Sequence, residues 1–261
     1  MLNRTVLIIL AAAVFFAPAA AADEREDPLP AGVAAFTAAY AGWNGDGFRR
    51  AAEQLKAAGE SDPELFAAQY WHGVARFHFA LFLLDLEDPG PEAERALDAA
   101  EEALERALEL DDGCGECYAI LSGITGMRIG LNPLSGIWRG SRFKSQAERA
   151  LELSPDDPRV HYLLGSNYYH GPDRLGGKEK ARERFLAAEI LFRKERETEA
   201  APLQPRWGYD SCLAFLGELF LEDGDRTKAR DYFRRTLAVN PNHGPARKRL
   251  QELENGENED E

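Results

Sequence analysis

One short segment returns along the chain, and it limits the possible architectures more than any other feature. Arg106-Ala107-Leu108-Glu109-Leu110-Asp111 recurs as Arg149-Ala150-Leu151-Glu152-Leu153-Ser154 before Pro155, and in looser form as Arg235-Thr236-Leu237-Ala238-Val239-Asn240 before Pro241. Each copy reads as the end of a helix, because its apolar residues keep helical spacing until a polar residue or Pro stops the pattern. Leading into each end, residues four and then three apart form an apolar or small stripe. The stripes are Ala51/Leu55/Ala58, Ala100/Leu104/Ala107, Phe143/Ala147/Ala150, Ala181/Phe185/Ala188 and Ala229/Phe233/Thr236. Such a stripe lies on one helical face and must be covered by another helix. Five of them predict about five helix pairs in an all-α stack, since one repeat cannot bury its apolar face alone.

The last unit, Asp210 to His243, carries Leu213, Leu216, Gly217, Phe220, Ala229, Phe233 and Pro241 at a spacing that resembles the tetratricopeptide repeat. Leu164, Gly165, Tyr168, Ala181 and Phe185 keep the same spacing except for a surplus at His170–Gly177, which is expected to be an enlarged loop. The unit from Cys117 to Pro155 departs further. Leu121 and Ser122 stand in the leucine and glycine places, and Asn132-Pro133-Leu134-Ser135-Gly136-Ile137-Trp138 lies in an insertion before Phe143. The two earliest units match weakly, through Tyr40 and Trp43 before Gly45-Asp46 and through Trp71 with Gly73. The resemblance implies a right-handed solenoid of about five irregular helix pairs over residues 31–254. Ala246–Glu254 would cap its last apolar face. Asn255–Glu261, with four acids and no apolar residue, is expected to be a disordered tail.

The N-terminus reads differently. Arg4 precedes an apolar run from Val6 to Phe16 and a small-residue stretch, Ala19–Ala22, before Asp23. That order is that of a secretory signal peptide over 1–22, with a linker over 23–30. The run is about half of the roughly 20 apolar residues that a membrane span needs. The first cysteine is Cys114, so no lipid-attachment cysteine follows the expected cut. The expectation is a periplasmic or secreted protein with no membrane insertion of the mature chain. A net charge of −14 disfavours nucleic acid as a partner.

Cys114-Gly115-Glu116-Cys117 is the sharpest local motif. It reads as a disulfide at a helix start, with unpaired thiols or a redox pair as alternatives; no second pair completes a zinc site. Histidines 72, 78, 161, 170 and 243 are too scattered to form a metal motif by spacing. Glu101, Glu102, Glu105 and Glu109 ride on a charged helical face with Arg106. Gly42–Gly47 lacks the alternating ligands of a calcium loop. No cofactor, metal site or catalytic residue is read from the sequence.

The tetratricopeptide resemblance also implies a concave groove lined by the first helix of each pair. Carried over residue by residue, it assigns Arg159, Tyr162, Ser166 and Tyr169 to that groove, with His170 and Arg174 displayed from the neighbouring loop. The implied function is a scaffold or adaptor for a protein or peptide partner, or for a small anionic ligand. The tyrosines could equally pack between repeats. In overall plan the chain also resembles the T-component proteins of tripartite periplasmic transporters, which would make it an accessory solute-binding component. An enzyme with an unrecognised active site is a third reading.

Overall fold

In a computed structural model of the chain, residues 27–171 and 177–258 are described. The expectations for the signal peptide, the first half of the linker (23–26), most of the enlarged loop at 170–177 with its Arg174, and the last three residues lie outside them. The described residues form eleven α-helices and one 3-10 turn: α1 (Pro28–Gly42), α2 (Gly45–Ser61), α3 (Phe66–Leu84), α4 (Gly90–Leu110), α5 (Gly115–Leu131), the 3-10 turn (Pro133–Ser135), α6 (Gly136–Leu153), α7 (Pro158–Tyr169), α8 (Gly177–Arg196), α9 (Tyr209–Glu222), α10 (Arg226–Val239) and α11 (Gly244–Asn258). Successive helices pack as five pairs, α1/α2 to α9/α10, and α11 closes the last face against α10. The architecture is the expected helical-repeat solenoid with a capping helix.

The helix starts follow from local chemistry. Asp27, Asn44, Asp157 and Asp225 each accept a backbone N–H of the first turn, which satisfies donors a helix start leaves without a partner. Two boundaries correct the sequence expectations. The linker gives way to helix at Pro28 rather than residue 31, because Pro fits the first helical turn and Asp27 caps it. The capping helix runs on through Asn258 into the expected tail, because extending a formed helix adds one hydrogen bond per residue and needs no apolar side chain.

Four of the five pairs are held by one recurring contact. A Cβ added to Gly217 would stand 2.7 Å from Phe233, one on Gly165 2.8 Å from Phe185, one on Gly73 2.6 Å from Leu104 and one on Gly32 2.7 Å from Leu55. Leu55, Leu104, Phe185 and Phe233 are the middle residues of their stripes and are at most 1% exposed. The two weakly matching N-terminal units thus use the same bare-backbone contact as the C-terminal ones. The third pair has Ser122 in the glycine place and Ala147 in the large place. The serine hydroxyl donates to the Ala119 carbonyl at 2.8 Å and accepts from Asn167 Nδ2 at 2.9 Å. A buried hydroxyl partnered in this way costs little.

Candidate functional site

The residues assigned to the groove begin at the start of α7. Arg159 is buried and its guanidinium is surrounded by carboxylates, with Glu116 Oε2 at 3.1 Å, Glu195 Oε1 at 2.7 Å and Asp157 Oδ1 at 3.5 Å. Tyr70 donates to the other oxygen of Glu116 at 2.6 Å. Burial disfavours the Arg159 charge, and the carboxylates of Glu116 and Asp157 outweigh it and hold the proton more firmly than usual. Burial also lifts the Glu116 carboxyl to about 7, against the pull of Arg159. Arg159 is therefore a structural cation and not a groove ligand. With three acids around one base there is no surplus positive charge for a small anionic ligand.

Tyr162 is also committed inward. Its ring packs against Phe185, Phe215 and Trp207, and burial raises its pKa. Ser166 is half-buried and its carbonyl accepts the His170 amide. Tyr169 is half-buried beside Phe215, donates to Glu222 Oε1 at 3.1 Å and has Lys178 5.8 Å above its ring. Partial burial together with Glu222 raises its hydroxyl to about 12. Among the described members of the assigned set, only His170 is exposed, with its ring edge-on to Tyr169 and Phe215.

The face that the resemblance assigns to a groove is covered at Tyr162 by the chain's own connection between α8 and α9. From this segment Trp207, 4% exposed, enters among Tyr40, His78 and Tyr162, and the Leu203 carbonyl accepts the Trp71 indole N–H at 3.0 Å. The chain turns there through two left-handed residues, Leu203 at φ 62° and Gly208 at φ 101°. The stack then meets its own beginning. The Tyr40 hydroxyl donates to Asp210 Oδ1 at 2.9 Å and accepts the Gly208 amide at 3.1 Å, across some 170 residues of chain. Asn240 holds the other Asp210 oxygen at 2.7 Å. The sequence signal for this plug is a tryptophan in a Pro-bearing connection, Pro202-Leu203-Gln204-Pro205-Arg206-Trp207, longer than the turns joining other pairs.

Four of the exposed large apolar residues cluster at the tip of the α5/α6 pair. The insertion there is taken up as the 3-10 turn and the first turn of α6. It leaves Leu134 72%, Ile137 83% and Trp138 63% exposed, beside Leu131. Ser135, buried between them, donates to the Arg128 carbonyl at 3.4 Å and pins the turn. Because helices in successive pairs alternate in direction, the turns within pairs share one edge of the stack. Two other exposed apolar residues, Trp43 and Leu86, stand in such turns. Around the tip the charge is one-sided. No acid occurs between Glu116 and Glu148, whereas Arg128, Arg139, Arg142 and Lys144 do. Arg128 and Arg142 are tied to Asp98, Glu101 and Glu105 of α4, and Lys144 faces Glu148.

The sequence profile of the regulator of microtubule dynamics protein 1-3 family matches residues 40–171, about half of the chain. The chain belongs to this family. Among curated proteins of the family, regulator of microtubule dynamics protein 3 of Mus musculus is 31% identical over 170 residues, 62% of this chain and 35% of that one. The Rattus norvegicus protein is 32% identical over 155 residues, 56% and 32% of the two chains. The chain thus spans about a third of the length of these relatives. Among solved structures, the HusA haemophore from Porphyromonas gingivalis superposes with a TM-score of 0.61 at 21% identity over 74% of this chain and 92% of that one. TTC0263, a tetratricopeptide protein of Thermus thermophilus, gives 0.59 at 18% identity over 87% and 96%. At these identities the likeness is one of fold, and it makes this member of the family a tetratricopeptide-like helical-repeat protein.

Proposed function

We propose that the chain is a scaffold that binds a protein partner at the α5/α6 tip, outside the cytoplasm. One observation carries the reading. Leu131, Leu134, Ile137 and Trp138 stand exposed within eight residues, while the concave face used for binding in open repeat stacks is filled by Trp207. Contiguous exposed apolar side chains in a folded protein mark an interaction surface, and a tryptophan at its centre is the kind of anchor that dominates binding energy. Arg139, next to Trp138, makes no ion pair to any described residue, which fits a partner presenting apolar side chains flanked by carboxylates. The relatives are named for regulating microtubule dynamics; the part this chain shares with them is the repeat stack, so binding to another protein is what we carry over.

Export is supported by the order of charge, apolar run and small residues before Asp23, and by the Cys114–Cys117 disulfide, a bond that persists in oxidising compartments. Intact-mass measurement of protein from the native cell should find a chain beginning at Asp23; a Met1 terminus would contradict it.

A photo-crosslinking phenylalanine at position 138, introduced in the native cell, tests the binding surface. It should yield one discrete protein adduct that disappears when Ile137→Ser and Arg139→Glu are added. Adducts from a probe at Tyr162 and none from position 138 would place binding in the concave face and overturn the reading.

A further inference from the structure

At the opposite edge of the stack, the start of α5 borders a cavity of about 250 Å³ walled by Phe66, Tyr70 and Trp71 of α3 and by Leu203 of the α8–α9 connection. Cys114 and Glu116 line the same cavity. Cys114 caps the helix and is half-exposed, and the disulfide joins it to Cys117, which is fully buried. The two sulfurs are thus inequivalent, with one facing an aromatic-walled cavity and the other shut in the core. The Cys114 sulfur also accepts the Cys117 amide at 3.1 Å, at the end of the helix where the backbone dipole favours negative charge. A bond needed only to brace the fold has no use for this asymmetry, because a ring closed over so few residues adds little stability.

We propose that Cys114–Cys117 is a thiol–disulfide exchange site, with Cys114 as the attacked sulfur and a cysteine-bearing extended peptide as the substrate held in the cavity. This activity goes beyond the scaffold reading and does not depend on it. A substrate thiolate attacks Cys114 Sγ, forming a substrate–Cys114 bond while the Cys114–Cys117 bond breaks and Cys117 leaves with the electron pair. A second substrate thiolate then attacks the substrate sulfur of the mixed disulfide and releases Cys114 as a thiolate. The substrate dithiol is oxidised to a disulfide, the protein pair is reduced by two electrons, and the two protons lost by the substrate pass to the two cysteines. A disulfide of the same class running the sequence in reverse restores the starting state.

Three features of the site serve these steps. The helix start stabilises Cys114 as a leaving thiolate, which is what makes a cysteine reactive. Burial of Cys117 keeps external thiols from the second sulfur, so the mixed disulfide forms on Cys114. Glu116, held by Tyr70 and Arg159, places a carboxyl with proton affinity near neutrality in the first turn beside the pair.

Glutathione is the probe. The full-length protein is equilibrated in buffers of varied reduced-to-oxidised glutathione ratio, alkylated, and mapped by peptide mass, which also separates out the buried Cys212. Disulfide and dithiol should both be populated within the ordinary range of such buffers while circular dichroism stays native. In the Cys117→Ser variant, oxidised glutathione should add to Cys114 about tenfold or more faster in the folded protein than in urea, because only the folded chain sets this sulfur at a helix start. Cys114→Ser should leave Cys117 unmodified until the chain unfolds. A disulfide that glutathione reduces only with unfolding, or a folded Cys114 no faster than the unfolded one, would overturn the proposal. Because the wild-type equilibrium is read without any substitution, a variant that fails to fold does not shield it.

Discussion

His78 lies 2% exposed at the centre of the closed stack, touched by the rings of Phe36, Tyr40, Phe48, Phe77 and Trp207, with Nδ1 against the Val74 carbonyl at 2.9 Å. Burial lowers its pKa from 6.5 to about 4. Between those values the unfolded chain takes up a proton that the folded chain refuses, so this residue's contribution to stability is complete above pH 6.5 and is lost as pH falls towards 4. The urea-derived stability difference between the protein and its His78→Phe variant should therefore shift by about 2 kcal/mol against the protein from about pH 7 to about pH 5. A difference independent of pH would mean that the ring is accessible. At the same scale, some contacts are legible in the sequence and others are not. Gly217 with Phe233, and Gly165 with Phe185, announce themselves because the intervening lengths stay close to one repeat. Gly32 with Leu55 does not, since a glycine in an Ala-rich helix has no distinguishing neighbours. Arg159 and Tyr162 are placed correctly on a first helix, but their burial depends on Glu195 and Trp207, distant residues that no local spacing connects to them.

Among the elements, the α8–α9 connection and the α5/α6 tip behave oppositely. Trp207 is buried in the connection and packs against three aromatic rings, so Trp207→Ala should cost about 3–5 kcal/mol, as large aromatic truncations in cores do. Ile137→Ser with Trp138→Ser should change stability by less than about 0.5 kcal/mol per site, as exposed substitutions do. Thermal melts of the two variants give both numbers, and a tip variant as damaged as the core variant would show that Ile137 and Trp138 are covered in solution. The sequence shows the insertion at 132–138 but not its exposure. Its apolar residues have the composition of a core segment, and only the distance of the tip from neighbouring pairs leaves them uncovered.

At the scale of the whole molecule, Tyr40, Gly208, Asp210 and Asn240 join the first helix to the last pair and turn a linear stack into a closed one. Linear repeat stacks lose cooperativity because each unit contacts only its neighbours. Closure couples the ends, so urea unfolding should be a single transition by fluorescence and by circular dichroism. Tyr40→Phe, which strands the buried Asp210 oxygen and the Gly208 amide, should lower stability by about 1–3 kcal/mol. The repeat architecture follows from periodicity, which is local in the chain, whereas the closure rests on a contact between its two ends. The central claim, a concave face filled by the chain itself and a binding edge left open, is tested most directly by the accessibility of the four tryptophans. With 5-fluorotryptophan incorporated and each fluorine signal assigned by single Trp→Phe substitutions, a soluble gadolinium chelate should broaden Trp138 strongly and Trp43 less. Trp71 and Trp207, 2% and 4% exposed, should stay sharp. A Trp207 signal broadened as much as that of Trp138 would show an open groove and contradict the account.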